Sequence, residues 1–582
     1  MKKFFSCIRN FKLFKRQNLK KTFLSFSKKE WILFSLFFIL FITSTLYVLN
    51  TVNQNISVKV ARNGGTITEG IIGTPRFINP ILAFSDVDKD LTTLIYSGLL
   101  RKDREGQFIP DIAEKYEVSE DGLSYLFTIK DEVYFHDGKE ITADDIIFTT
   151  EETKNTLVKN LNGSSFEGIK IEKIDEKNVK FSMDRPDSSF LEKTTFGIMP
   201  KHLWEGFPME LSPLNTDPIG SGPFRIKRIK KDSEEIVKSY ELESFKDFAL
   251  GKPYINKFII KFYPNEEELI TALKSGEVEQ ISQISSENAK NLEEKYRIES
   301  YILPRVFGLF FNQNENQIFI DKNVISAINL ILDKKQIVEE VLFGYGTDIN
   351  SPIPKNMKGE KISNDKNLSY EEKVKKALEL LEKSGWEKNE DGFLEKNDIL
   401  NKKTITTPLS FSISTSNSSE LKKIAQIIKE DLELIGIKVE VKTFELGDLN
   451  QSVIRPRNFD SLLFGEIINH ESDLFAFWHS SQRKDPGLNI ASYTNVKVDK
   501  ILEEAITTLQ KEKREEKYTQ FEEEIQKSMP AVFIYSPSLI YIVKNDLKGL
   551  SEKNIISPKD RFLDSYLWYL NVENVWKIFV KN

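Results

Sequence analysis

Cysteine is nearly absent from this chain of 582 residues, and the single one is Cys7. One cysteine cannot form an intramolecular disulfide or a cysteine-based metal cluster, so stability has to come from packing. Histidine is also scarce, with four residues, and the sequence contains no GxSxG, HExxH or GxxxxGK pattern. The usual signatures of serine hydrolases, zinc proteases and P-loop nucleotide enzymes are therefore missing. We expect no cofactor and no metal site.

An excess of positive over negative charge is confined to one segment. The first thirty residues contain ten Lys and Arg against one acid, Glu30, although the whole chain has a net charge of −6. The remainder is therefore acidic, which argues against nucleic-acid binding because that needs a basic surface. The composition, 40% hydrophobic and 29% charged, is typical of a globular protein, and the length of 582 residues predicts more than one lobe.

Residues 31–49 form a long apolar run without a charge. A helix of about 20 such residues crosses a bilayer, and the basic residues before it predict that 1–30 is a cytoplasmic leader. The run is longer than the apolar part of most secretory signals, which favours an uncleaved anchor, although Thr43 and Ser44 leave cleavage open. Cys7 precedes the run, whereas a lipoprotein cysteine would follow it. We expect 50–63 to be a polar tether outside the membrane.

The densest local signals lie within residues 108–150. Alternating apolar residues over Ser124–Lys130 predict a strand, and Thr142 is placed to cap a helix that begins near Ala143. Between them, His136 and Asp137 could act as an acid–base pair. We favour a structural role because no second histidine is near and the Asp-Gly sequence is used by a turn.

Six short motifs in this part of the chain occur in a fixed order: Tyr96-Ser-Gly-Leu-Leu100, Pro110-Asp-Ile-Ala-Glu114, Ser119-Glu-Asp-Gly122, Tyr125-Leu-Phe-Thr-Ile129, Phe135-His-Asp-Gly138 and Thr142-Ala-Asp-Asp145. Together they resemble the family 5 extracellular solute-binding proteins, which are the oligopeptide- and dipeptide-binding components of bacterial ABC importers. Similarity continues through Pro218–Arg225 and spans about 64–570.

The resemblance implies an α/β fold of the two-lobed periplasmic-binding-protein type II, with an extra inserted subdomain. We assign 64–85, 190–300 and 530–582 to lobe I, 86–189 to the inserted subdomain and 301–529 to lobe II. The residues of lobe II agree with an α/β fold, because 409–414, 419–435 and 437–444 read as strand, helix and strand. Residues 498–527 read as one charged helix.

The most site-like segment is 464–480. In peptide-binding relatives, the comparable segment carries an aspartate that pairs with the ligand's α-ammonium group, and an ungapped placement puts Asn469 at that position. Asparagine lacks the charge, so Glu466, Glu471 or Asp473 are candidates to replace it. A metal site built from His470, Glu471, Asp473 and His479 is the alternative, but their spacing is irregular.

Five further residues are predicted to bind ligand. The resemblance places Thr74 and Phe77 in the loop after the first strand, where such proteins approach their ligand. Arg305 and Phe307 lie in an apolar strand that leads into lobe II, and an edge-exposed charge is the alternative for Arg305. Trp478 either lines the cleft or belongs to the core with the other aromatic residues of its helix.

These expectations define a receptor tethered to the cell membrane by a single pass, with its body outside the cytoplasm. It would capture peptides between two lobes by hinge closure and deliver them to the permease subunits of an ABC transporter, as a monomer. The same fold serves nickel, haem and sugar ligands, which is the first alternative. An envelope chaperone or scaffold is the second, and an enzyme built on paired acids is the weakest.

Overall fold

A computed structural model of the protein describes residues 25–103, 105–154, 166–206, 208–354, 357, 368–400, 403–550, 555–576 and 578. Most of the basic leader, including Cys7, lies outside the described residues. The chain forms two compact units. The first contains the residues up to Arg62 and from Asn571 onward, and the second contains Asn63–Leu570.

The strands are, in chain order, β1 (Ser57–Arg62), β2 (Thr66–Ile72), β3 (Leu100–Lys102), β4 (Phe108–Pro110), β5 (Ala113–Val118), β6 (Ser124–Ile129), β7 (Ile169–Lys173), β8 (Asn178–Met183), β9 (Phe224–Lys231), β10 (Val237–Ser244), β11 (Lys257–Tyr263), β12 (Gln280–Ser282), β13 (Arg297–Ile302), β14 (Arg305–Phe311), β15 (Gly346–Asp348), β16 (Glu387–Lys388), β17 (Leu394–Leu400), β18 (Lys403–Pro408), β19 (Ser410–Ser416), β20 (Lys438–Phe444), β21 (Ser461–Ile467), β22 (Ala531–Val543) and β23 (Asn571–Trp576).

The α-helices of six or more residues are α1 (Lys28–Ile56), α2 (Asp86–Ile95), α3 (Ala143–Thr153), α4 (Glu266–Ser275), α5 (Ser286–Leu292), α6 (Lys322–Ile331), α7 (Lys334–Glu340), α8 (Tyr370–Lys383), α9 (Ser419–Leu434), α10 (Asp473–Trp478), α11 (Val496–Thr507) and α12 (Lys511–Ser528). The segment 498–527, predicted as one helix, is thus divided between α11 and α12.

The first unit contains the apolar run. Helix α1 is longer than the predicted span 31–49, because Ser27 and Glu30 form a capping box at its start and the helix continues to Ile56. By length and composition, Lys28–Asn53 can cross a membrane. Strand β1 follows directly and pairs antiparallel with β23. The expected tether 50–63 is therefore mostly regular structure, with the last turns of a helix followed by a paired strand.

The second unit is built on a long twisted set of strands in the order β20-β19-β21-β14-β22-β12-β2-β11-β10-β9. Strand β22 joins its two parts, since Ala531–Tyr535 pairs with β14 whereas Ser538–Val543 pairs with β13. Between these halves stands Pro537, which cannot donate a ladder hydrogen bond. The strand–helix–strand unit predicted for 409–444 is confirmed, with β19 and β20 parallel and α9 between them in the chain.

A separate antiparallel sheet, β5-β6-β8-β7, has its own aromatic core with Phe127, Phe181 and Phe190. This core begins at Leu99 and extends to Ile198. The predicted inserted subdomain begins at residue 86 and would therefore include helix α2. In the structure, α2 packs with the core of β2, β10 and β11. The amphipathic pattern of α2 explains this, because its apolar side needs a sheet to cover it.

The structural interpretation of His136 is confirmed. Its ring nitrogen Nε2 lies 3.0 Å from the carbonyl oxygen of Gly222, and burial lowers the pKa of His136 to about 4. Asp137 pairs with a different histidine, His202, at 2.7 Å. His136 is therefore a neutral residue that joins two loops, and Asp137 is not its acid–base partner.

A buried ionic network holds together distant parts of the chain around β2. The guanidinium of Arg561 donates to Glu69 at 3.0 and 3.1 Å and to Asp90 at 2.6 and 2.9 Å. The hydroxyl of Tyr541 donates to the other oxygen of Glu69 at 2.8 Å. All these side chains are buried, so each charge depends on its partners for compensation.

Candidate functional site

The chain passes between the two parts of the large sheet at a point where several predicted site residues lie. Strand β13 pairs with the second half of β22, and only two residues separate β13 from β14, which pairs with the first half. The amide of Leu303 donates to the carbonyl of Pro537 at 2.9 Å and fixes this crossover. A few residues at such crossovers commonly act as hinges between lobes.

Arg305 is the first residue of β14, immediately after the crossover. Its side chain is half-buried and makes no ion pair with any residue that the structure describes. Burial lowers the pKa of Arg305, and the carboxylate of Asp86 at the start of α2 opposes this effect. A desolvated guanidinium that is not held in an ion pair is suited to bind an anionic or carbonyl group of a ligand.

Phe307 lies on the same face of β14 as Arg305, because residues two apart in a strand point the same way. Its ring stacks on Tyr535 with a centroid distance of 4.7 Å and an interplanar angle of 9°. It also covers Gly465, where an added Cβ would come within 2.6 Å of the ring. Tyr535 is buried in the core, so of this pair only the partly exposed ring of Phe307 is placed to contact a ligand beside the guanidinium.

Glu466 lies on the opposite face of the same pair of strands. It stands opposite Val306 in the register of β14 and β21, next to the core that contains Phe310 and Trp478. The side chain is 3% exposed, and neither carboxylate oxygen has a hydrogen-bond partner within the described part of the chain. Burial raises the pKa of Glu466 well above its usual value. The structure therefore does not bring Glu466 to the face of Arg305 and Phe307.

Replacing Glu466 with glutamine should stabilise the protein increasingly as the pH rises above about 4.5. Because the folded pKa is raised, the native state retains a proton that the unfolded state has lost, so the wild type loses stability with rising pH in this window. Urea unfolding at several pH values should show that the free energy of unfolding of Glu466→Gln exceeds that of the wild type by a difference that grows with pH to about 1–3 kcal/mol. An exposed control, Glu234→Gln, should show no such growing difference. A constant difference at all pH values would contradict the prediction.

The other acids of the segment 464–480 are engaged in local contacts. Asp473 accepts the backbone N–H groups of Asn469 and His470 at 2.9 and 3.0 Å, and so holds the loop before α10. Glu471 pairs with Arg514 at 2.9 Å. Neither is a spare carboxylate for a ligand. The side-chain amide of Asn469 is half-buried and has no hydrogen-bond partner among the residues that the structure describes.

The remaining predicted residues divide between core and loop. Trp478 is 1% exposed and packs against Phe310, Phe521 and Phe533, so it belongs to the core and does not face a cleft. Within the described ranges, no group of three or more His, Cys, Asp or Glu is arranged to hold a metal ion. The metal alternative for the segment 464–480 therefore has no support from the geometry.

Thr74 and Phe77 lie in the loop between β2 and α2, as predicted. Thr74 is exposed, whereas Phe77 is half-buried against the core of β2. The carboxylate of Asp88 accepts the backbone N–H groups of Arg76 and Phe77 at 2.8 and 3.0 Å. This contact fixes the loop to the same end of α2 that carries Asp86.

Several polar contacts join residues before 300 to residues of 301–529. They are the amide of Ser188 with the carbonyl of Ile506 at 3.0 Å, Glu192 with His470 at 3.6 Å, Ser286 with Glu420 at 3.4 Å, and Glu287 with Lys423 at 3.8 Å. These four contacts tie the two stretches of the chain to each other.

Sequence reasoning missed Tyr535, Asp86 and Glu192. Tyr535 lies in a run that reads only as an apolar strand, and its contact with Phe307 depends on the pairing of β22 with β14. Asp86 follows Ser85 at a recognisable helix start, but the sequence does not show that it lies near Arg305. Glu192 contacts Lys102 at 2.5 Å and His470, which are far apart in sequence.

Comparison with known families gives the class of this protein. Residues 107–486 match the family model described as "Bacterial extracellular solute-binding proteins, family 5 Middle". The chain belongs to this family. The architecture also matches solved structures, so the predicted two-lobed periplasmic-binding-protein type II fold is confirmed.

Individual relatives can then be named. The chain is 29% identical over 521 residues to oligopeptide-binding protein AppA of Bacillus subtilis (strain 168), covering 88% of this chain and 92% of that protein. The solved structure of AppA in complex with a nonapeptide has a TM-score of 0.66 and 28% identity, covering 88% of this chain and all of that one. The solved structure of NikZ from Campylobacter jejuni in complex with Ni(L-His) has a TM-score of 0.66 and 27% identity, and the match covers 87% of this chain and 99% of that one.

Proposed function

We propose that this protein is a membrane-anchored solute-binding protein that captures peptides between two lobes and delivers them to the permease of an ABC importer. The observation that carries the proposal is Arg305, a largely desolvated guanidinium at the crossover between the lobes, which forms no ion pair with the described residues and feels the charge of Asp86 only at longer range. A peptide supplies both a terminal carboxylate and main-chain carbonyls to such a group. The naming of AppA as an oligopeptide-binding protein supports the same ligand class.

The proposed site combines residues from both lobes. Arg305 and Phe307 would contact the ligand from lobe II, with Asn469 at the end of the same sheet, whereas Thr74 and Phe77 would approach from the loop after β2. Glu466 is a lesser candidate, because reaching a ligand would require it to leave a dry core. Trp478 is buried in the core and is not part of the proposed site.

Separate hydrophobic cores support the division into lobes. One core of buried hydrophobic residues surrounds β2, β10 and β11. Two more lie on the two faces of β14 and β21, and another packs against the sheet formed by β5 to β8. We propose that lobe I includes α2, that the inserted subdomain covers about 99–189, and that β22 is shared by both lobes. Hinge closure would then bend the chain near Leu303 and Pro537.

The uncleaved anchor is supported by the continuity of α1 into β1. A signal sequence is usually followed by an extended cleavage segment, whereas α1 remains helical to Ile56 and the next residue already pairs with β23. Every contact that defines the proposed site is non-covalent, and the relatives are binding proteins, so we propose no catalytic step.

Peptide binding is tested on the full chain purified in detergent. We expect calorimetric heat and a raised melting temperature with some members of a peptide library, because binding to the folded state alone raises stability. Each binding peptide should then be compared with its N-acetylated form. Since Asn469 carries no charge, acetylation should change the affinity by less than about tenfold. Absence of binding by every peptide, together with binding of a metal chelate or a sugar, would overturn the proposed ligand class.

A further inference from the structure

The first unit has an apolar surface next to the candidate membrane span. It consists of Trp576, the last residue of β23, and Ile578 two positions later, together with Val52 and Ile56 on α1; we call these four residues the collar. Ile578 is 75% exposed and Trp576 is 49% exposed, and the two helix residues are exposed as well. Exposed apolar groups that adjoin one another usually mark a binding surface.

The position of the collar along α1 identifies what would cover it. At 1.5 Å per residue, a helix of the length of α1 spans roughly 43 Å, which exceeds the ~30 Å hydrocarbon core of a bilayer. The last turns of α1 must therefore extend into the headgroup region on the far side. Val52 and Ile56 belong to these turns, so the helix side of the collar lies at that level.

Two contacts keep Trp576 at the same level. Its indole N–H donates to the side-chain oxygen of Asn53, the last residue of the candidate span, at 2.7 Å. In addition, Ser57 stands opposite Trp576 in the register of β1 and β23, whereas Arg62 stands opposite Asn571. Strand β23 therefore runs toward the end of α1, and the tryptophan is at its near end.

The chemistry of the collar fits the boundary between lipid chains and headgroups. Tryptophan is enriched at this boundary because its ring is apolar while its N–H needs a polar partner. The sequence after Trp576 is Lys-Ile-Phe-Val-Lys, in which two cations flank three apolar residues, a composition that suits anionic lipid phosphates beside lipid chains.

We propose that the collar is a second membrane contact, in which Trp576 and Ile578 insert into the outer headgroup region beside α1. This inference rests on the proposed anchor. A lipid surface is the stated occupant because the collar is continuous with the span. Neither a second copy of the chain nor a permease subunit is needed to cover it.

The test uses the full chain, with Cys7→Ser, reconstituted in nanodiscs that contain phosphatidylcholine and phosphatidylglycerol. An environment-sensitive fluorophore is attached in turn through Ile578→Cys, Phe41→Cys in the middle of α1, and Val496→Cys, an exposed residue of the second unit. We expect the probe at 578 to emit at a shorter wavelength than the same fluorophore free in buffer. It should also be quenched strongly by lipids that carry a spin label at the level of the headgroup. The probe at 41 should be quenched by labels deep in the acyl chain, and the probe at 496 by neither.

The outcomes separate the two proposals. Quenching at 41 without quenching at 578 would leave the anchor intact and overturn the collar as a lipid contact. Absence of quenching at 41 would overturn the anchor itself. A probe at 578 that is shielded from water but unaffected by labelled lipid, and that crosslinks to a second copy, would replace the lipid surface by a protein interface and so overturn the inference.

Discussion

Replacing Arg561 with methionine is expected to lower the free energy of unfolding by about 3–5 kcal/mol, the usual cost of leaving a buried charge without its partner. Two carboxylates, Glu69 and Asp90, would remain in the core with no cation between them. Burial already raises the pKa of Asp90 to about 6, and the guanidinium opposes this rise. In the variant, Asp90 should therefore take up a proton at neutral pH.

Urea unfolding followed by tryptophan fluorescence measures this loss. The matched control is Arg225→Met, which removes an exposed arginine paired with Glu243 and should cost less than about 1 kcal/mol. Combining Arg561→Met with Glu69→Gln and Asp90→Asn should recover part of the stability, because the uncompensated charges are then removed together. A single variant as stable as the control would show that the network does not hold β2 and α2 in place.

Replacing Arg305 with glutamine is expected to weaken peptide binding by about 10–100-fold, since a hydrogen bond to a charged group contributes about 1.5–3 kcal/mol. The same change should leave the stability of the unliganded protein unchanged or slightly higher. This follows because the guanidinium is desolvated and makes no ion pair within the described ranges. Loss of affinity without loss of stability would separate a ligand contact from a structural role.

Calorimetric titration with a free peptide and with its C-terminal amide identifies the group that Arg305 contacts. If the terminal carboxylate is the partner, amidation should weaken binding to the wild type but not to Arg305→Gln. If a main-chain carbonyl is the partner, amidation of the peptide should change its affinity for the wild type and for Arg305→Gln by the same factor. Arg305→Lys keeps the charge but loses the planar guanidinium, so its affinity for the peptide should lie between those of the wild type and Arg305→Gln. Unchanged affinity in Arg305→Gln would remove this residue from the site.

Local sequence signals predicted the elements that depend on neighbouring residues. Thr142, predicted to cap a helix, forms with Asp145 the capping box at the start of α3. Strands β19 and β20 were predicted with α9 between them because apolar periodicity changes visibly along that segment. Where a residue four or fewer positions away decides the structure, the sequence was informative.

The site was predicted less well because strand pairing decides it. Glu466 and Arg305 were both expected to bind ligand, yet the register of β14 and β21 puts them on opposite faces of the same sheet. The role of Trp478 likewise depends on Phe521 and Phe533, which follow it by more than forty residues. Family resemblance located the segment, but only the paired strands show which of its side chains are buried.

The network around Arg561 also sets the order in which the newly made protein can mature. Glu69 and Arg561 are 492 positions apart, so a ribosome produces nearly the whole chain before the first carboxylate meets its cation. Residues 301–529 contain most of their own core partners, and the first half of β22, which follows directly in the chain, supplies the rest. The core around β2, although synthesised first, lacks Tyr541 and Arg561 until the last part of the chain has been made. In this protein, the segment made first is completed last.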